Sequence, residues 1–225
     1  MTVGRSDSGG RFTLVIGNKN YSTWSLRSWL LMRVADISFG EVLLPLDTDE
    51  FEQKIHDYSS SGCVPVLIEG KTAIWDTLAI AEYLAEVFPE KHLWPADATA
   101  RAQARAVSAE MHSGFPDLRR ELPMNLRRPV GAVPVSKGTL GDIDRIFNIW
   151  RGCREEWGRG GQFLFGDFSI ADAFYAPIAT RFRTYGLELD EIVGSYVEVI
   201  HRLPAFLEWQ QEARDEPWII ESDEL

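Results

Sequence analysis

The spacing of apolar positions changes along the chain. "RFTLVIGN" (11–18) is a short run of β-forming residues. Over 22–35, Leu26, Leu30, Leu31 and Val34 recur at helical intervals instead. "SFGEVLLPL" (38–46) returns to a β pattern, and two strands joined through a helix must pair in parallel, so these segments predict a βαβ unit. "TDEFEQKIHDY" (48–58) predicts a polar second helix. Next, "CVPVLIEG" and "KTAIWD" are β-rich segments that meet at Gly70 and Lys71, an interval that suits a tight hairpin. The helix predicted over 76–88, "DTLAIAEYLAEVF", offers Leu78, Ala81, Tyr83, Leu84 and Phe88 as apolar contacts. The order βαβαββα predicts a small mixed α/β sheet covered by helices, complete by about Phe88.

Beyond the Pro-punctuated connector "PEKHLWPAD", strand patterns nearly vanish and long helical patterns take over, which predicts a boundary near 89–96. Asp97 or Thr99 can cap the helix "ARAQARAVSAEMHSGF", and helical character is expected to continue through "AEMHSGFPDLRRELPMN" (109–125). Ile143, Ile146, Phe147, Trp150 and Trp157 mark another buried stripe. "SIADAFYAPIATRF" opens with Ser169 and carries Asp172 three positions later, a capping box with Asp in place of Glu. The chain thus divides into a mobile tail over 1–11, an α/β unit over 12–90 and an all-α unit over 97–225.

Charge narrows the function classes. With a net charge of −11, the surface repels phosphate backbones and anionic lipid, so neither nucleic acid nor membrane is an expected partner. No apolar stretch reaches the length of a bilayer span, and "MTVGRSDSGGRF" lacks the apolar core of a signal peptide, so a cytoplasmic protein is expected. Cys63 and Cys153 stand far apart without metal-ligand spacing, and no metal site is expected.

Three short stretches carry candidate chemistry. Tyr21, Ser22, Thr23 and Ser25 place hydroxyls at the mouth of the first helix, where unpaired N–H groups and the helix dipole favour an anion; Ser and Thr are also the preferred N-caps, which explains one of them without further function. Val64-Pro65 puts proline, which has no ladder donor, at a predicted strand; a cis bond there frees the Val64 backbone for strand-like pairing with a ligand, and a trans proline opening an edge strand is the simpler alternative. Asp76-Thr77 begins the helix after the hairpin, suited to an amino-acid head group or merely to capping.

The order of these stretches resembles the glutathione-binding half of the soluble glutathione transferases. "GCVPVL" is similar to that family's G-x-V-P-x-L strand, "DTLAIAEYL" to its E-S-x-A-I-x-x-Y-L helix and "FSIADAFYAP" to its S-x-A-D helix cap. Ser22-Thr23-Trp24-Ser25-Leu26-Arg27 can be laid on the S-S-C-S-W-R stretch of zeta-like serine enzymes. The resemblance implies a thioredoxin-like N-terminal domain and a helical C-terminal domain. It also implies glutathione as substrate or cofactor, a small-molecule electrophile, and a homodimer.

By the same resemblance, Ser22 contacts the glutathione sulfur, with Thr23 second and Tyr21 third. Val64 beside cis-Pro65 binds the cysteinyl backbone, and Asp76 and Thr77 hold the γ-glutamyl end. Cys63 stands where many members have Lys or Gln, leaving the glycine end to Lys54 or His56. Trp24, Met111, His112, Phe115, Arg119 and Asn125 are the implied electrophile-pocket residues. Conjugation, a zeta-like isomerisation, a non-catalytic assembly module and a cysteine-dependent reductase all stay open. Ser22-Thr23-Trp24-Ser25 occupies the C-x-x-C position of redox relatives, so the reactive thiol must arrive with the tripeptide.

Overall fold

The computed structural model describes residues 10–225. Of the tail expected over 1–11, only Gly10 and Arg11 fall among the described residues. Arg11 is tied down: it pairs with Glu69, and its guanidinium lies 4.9 Å from the Phe12 ring and 5.4 Å from the Phe88 ring.

Strands β1 (Phe12–Ile16), β2 (Phe39–Leu43), β3 (Val66–Glu69) and β4 (Thr72–Trp75) form one sheet in the order β2-β1-β3-β4. β1 and β2 are parallel because α1 (Thr23–Val34) carries the chain back between them, whereas β3 is antiparallel to both β1 and β4. Gly70, at φ 58°, makes the hairpin turn that a side chain would strain. Period-two alternation sorts the strand side chains. Phe12, Leu14, Ile16 and Leu67 face α1 and α3 (Thr77–Val87), while Val15 and Val66 pack with Leu44 and with Phe51 and Ile55 of α2 (Asp49–Tyr58).

From Ala98 onward the described elements are helical apart from isolated bridges at 163–167: α4 (Ala98–Ser113), α5 (Pro116–Glu121), α6 (Lys137–Trp157), α7 (Ile170–Thr184), α8 (Glu191–Arg202) and α9 (Pro204–Asp215). Asp97, not Thr99, caps α4, accepting from the N–H groups of Thr99 and Ala100 at 2.9 and 2.8 Å. The continuous helix expected over 109–125 is broken. Pro116 disfavours helix at the residue before it, so α4 ends at Ser113, Phe115 turns into the left-handed region at φ 63°, and α5 restarts with Pro116 in its first turn.

Helix α7 is buried along nearly its whole length, packed against α1, α4 and α8, so it joins the sheet-bearing half to the helical half. Its start is fixed by Asp172. The carboxylate accepts from Ser169 N–H (2.8 Å), Ser169 Oγ (3.0 Å), Leu164 N–H (3.0 Å) and Tyr196 Oη (3.1 Å). Burial pushes this carboxyl up to about 6 despite those four donors.

Asp172→Ala strands buried N–H groups and should destabilise the protein by about 2–4 kcal/mol in denaturant unfolding. The folded chain holds the Asp172 proton more tightly than the unfolded one, whose carboxyl titrates near 3.8. The corresponding stability is fully present below that pH and lost as pH rises through about 6, so Asp172→Asn should flatten the stability profile in this window.

Candidate active site

A cavity of about 620 Å³ opens where the mouth of α1, the segment before β3 and the mouth of α3 converge. Tyr21 to Trp24, Ser61 to Pro65 and Trp75 to Thr77 line it, and Leu46 and Phe51 close its apolar side. Asp76 is the one charged residue among these.

At the α1 mouth, Ser22 is the N-cap: its Oγ accepts from Ser25 N–H at 3.3 Å. Its hydroxyl donates to Ser25 Oγ at 2.7 Å, and that oxygen also accepts from Gly17 N–H at 3.0 Å. Thr23 is the first helical residue, and among the described residues its hydroxyl has no hydrogen-bond partner. The turn that leads into the mouth is held from its far side. Glu216 accepts from Lys19 N–H (2.6 Å) and Asn20 N–H (3.0 Å), Trp209 Nε1 donates to Lys19 O (2.8 Å), and Arg127 donates to Tyr21 Oη (2.8 Å).

The Val64-Pro65 peptide is cis, and among the described residues no protein group pairs with the Val64 N–H or C=O. Asp76 adopts φ 73°, a left-handed conformation that non-glycine residues rarely take and that marks functional turns. Its Oδ1 caps α3 through Leu78 N–H at 2.8 Å, and its Oδ2 lies 3.2 Å from His112 Nε2. The other ring nitrogen of His112 lies 3.5 Å from Thr77 Oγ1, and the ring meets Trp24 edge-on with centroids 5.0 Å apart. Burial lowers the His112 pKa, Asp76 opposes that shift, and the cations of Arg27 and Arg119 add to it. The cavity therefore offers helix N–H groups and hydroxyls for an anion, a free strand-like backbone for an extended peptide, and a carboxylate for an ammonium group.

Residues 21–87 match the family model described as glutathione S-transferase, N-terminal domain, and residues 96–211 match glutathione S-transferase, C-terminal domain. The chain belongs to the glutathione S-transferase family. Among its relatives, glutathione S-transferase Z1 of Arabidopsis thaliana is 34% identical over 203 residues, covering 84% of this chain and 89% of the relative. A probable maleylacetoacetate isomerase of Caenorhabditis elegans is 27% identical over 191 residues, covering 82% and 86%. A crystal structure of a glutathione transferase homologue from Burkholderia, with bound glutathione, shares the fold at a TM-score of 0.70 and 23% identity, covering 91% of this chain and 99% of that one.

On this transferase fold, Ser22, Thr23, Trp24, Val64, Pro65, Asp76 and Thr77 come together around the cavity. Other candidate residues lie elsewhere. Lys54 is exposed on α2, paired with Glu50 at 2.7 Å, and neither it nor His56 lines the cavity. The break between α4 and α5 scatters the electrophile-pocket set, because residues on either side of Phe115 no longer share a helix face. Met111 and Phe115 are buried in the core. Asn125 is a buried brace, accepting from Asn20 Nδ2 at 2.9 Å. Arg119 donates to Gly114 O (2.9 Å) and to Met111 O, and its guanidinium lies 5.3 Å from the Trp24 ring. Of that helical set, the His112 ring and the Arg119 guanidinium stand against Trp24.

Sequence reasoning missed Trp75, Leu46, Phe51 and Ser61 as lining residues and Arg27 as a neighbour of Trp24. A large aromatic at the end of a predicted edge strand was the available signal for Trp75; the others carry none. Proton NMR of the imidazoles should place the His112 midpoint below 6.5, and Asp76→Asn should lower it further because the opposing charge is removed.

Proposed function

We propose that the protein is a glutathione-dependent transferase that activates the tripeptide thiol at the α1 mouth for attack on a small electrophile. The reading rests most on one observation, the convergence of hydroxyl-bearing helix mouth, unpaired Val64 backbone and Asp76 carboxylate around one cavity of suitable size. In this reading the α/β unit over 12–90 holds the tripeptide, and the helical unit over 97–225 supplies the second wall. The cysteinyl segment pairs with Val64, and the γ-glutamyl ammonium meets Asp76 while Thr77 and its N–H receive the carboxylate.

Ser22 donates to the sulfur. Its oxygen already accepts from Ser25 N–H, which strengthens it as a donor, and rotation about its Cβ–Oγ bond exchanges Ser25 Oγ for the thiolate as acceptor. Thr23, with its hydroxyl free, is the second donor. The dipole of α1 stabilises the same negative charge, so the bound thiol loses its proton to solvent more readily than the free one. The thiolate then attacks, forming a carbon–sulfur bond as the leaving group departs.

A second reading is glutathione-dependent isomerisation, in which the thiolate adds to a double bond and leaves again. The name of the Caenorhabditis relative favours it, whereas Trp24 at the cysteine position of S-S-C weakens it. Cys153 is a poor candidate for a reductase thiol, since burial pushes it up to about 12. We also propose a homodimer with the tripeptide site near the subunit interface, for which sedimentation showing a monomer is the contrary result.

Calorimetry with glutathione tests the binding reading, and absence of binding defeats both enzyme readings. Ser22→Ala should raise the pKa of the bound thiol, read from thiolate absorbance. It should also lower kcat/KM on a chloronitrobenzene by about ten- to a hundredfold, with a smaller loss for Thr23→Ala. Asp76→Asn should raise KM for glutathione with little change in kcat.

A further inference from the structure

Arg27 belongs to α1, yet the transferase reading gives it no task. The residue is 1% exposed, and among the described residues no atom accepts a hydrogen bond from its Nε, Nη1 or Nη2. Two aromatic rings stand against its guanidinium, with centroids 4.2 Å (Trp24) and 5.1 Å (Phe174) from it. Such stacking returns a small part of what burying an unpaired charge costs. Arg119 and Arg181 both oppose the Arg27 charge; Asp76 and the Tyr175 phenol favour it, and Asp76 is already engaged by Leu78 N–H and His112. Arg27, Arg119 and Arg181 form no ion pair among the described residues, in a chain with 34 acidic side chains. Trp24, which lines the cavity, thus stands against two guanidiniums, neither of them in an ion pair among the described residues.

We propose that Arg27, with Arg119 beside the same indole of Trp24, forms a carboxylate-binding subsite for the second substrate, reached when the indole turns aside. The inference deepens the transferase reading by naming a substrate class: an electrophile that carries a carboxylate away from the carbon the sulfur attacks. Charge favours a carboxylate over a phosphate. The guanidinium stands against the rings of Trp24 and Phe174, and in such apolar surroundings a flat, singly charged anion that pairs bidentately costs less to desolvate than a doubly charged phosphate. The tripeptide's γ-glutamyl carboxylate is assigned to Thr77 in the cavity, which Arg27 does not line; its glycine carboxylate is the competing anion that the test separates.

The test is a binding measurement on the full chain that needs no turnover. 3,5-Dinitrobenzoate and its methyl ester are titrated calorimetrically, with and without glutathione. Wild type should bind the acid about tenfold or more tightly than the ester, with tryptophan fluorescence quenched on binding. Arg27→Met should bring the acid-to-ester ratio to about one, and Arg27→Lys should restore part of the preference. Because a fully buried, unpaired charge is replaced by an apolar side chain of similar length, Arg27→Met should melt at the same or a higher temperature, which shows that the loss is not unfolding. Trp24→Ala supplies an independent arm: it uncovers the subsite and should keep or raise the acid preference. Equal binding of acid and ester by wild type, or a preference that survives Arg27→Met, overturns the proposal. An Arg27→Met variant that loses glutathione affinity with the acid-to-ester ratio intact also overturns it, assigning the anion to the tripeptide. Arg27-dependent acid binding by a protein that binds no glutathione leaves the subsite standing and removes the transferase reading.

Discussion

The candidate site depends on a carboxylate from the far end of the chain. A helix mouth can serve a ligand only if its leading N–H groups are left unsatisfied on the ligand side, and a turn with free polar groups is ordinarily loose. Glu216 resolves that tension by accepting the backbone N–H groups of Lys19 and Asn20 from behind. Trp209 and Asn125 add further anchors on the same side. The Lys19 and Asn20 backbone groups are thereby satisfied away from the cavity, and Tyr21, Ser22 and Thr23 reach it from a braced turn.

The helical half is therefore more than a lid over a self-sufficient α/β unit. Lys19 is 3% exposed, with its ammonium 5.1 Å from the Trp29 ring and 5.3 Å from the Trp209 ring while paired with Glu41 and Glu212. One buried cation so ties the β1–α1 turn to β2, α1 and α9 together. Helix α7, started by Asp172, presses on α1 from another side. Packing and polar satisfaction converge on the same few residues just before the α1 mouth.

Much of this was legible in the chain because it is local. Alternation and helical spacing specify β1 to β4 and α1 to α3; the Gly70 turn, Pro65 and the Ser169–Asp172 pair each act within a few residues of themselves. The break at Phe115 was written as Gly114-Phe115-Pro116, but the apolar rhythm on both sides of it reads as one helix, and that misplaces Met111, Phe115 and Asn125 relative to Trp24. Glu216 and Arg27 were illegible for another reason. An acid and a base look the same in sequence whether solvated or buried, and only tertiary contact shows that one satisfies a distant backbone while the other satisfies nothing.

The brace at Glu216 also bears on how the protein is made. Asn20 and its acceptor are 196 positions apart, so at about 5–20 residues per second a ribosome delivers the second partner roughly 10–40 s after the first. Throughout that interval the sheet can close and bury its apolar face, while the alcohol-rich turn waits without its clasp. The α/β segment can thus close before its turn is fixed, and the turn is fixed only once Glu216 has been made.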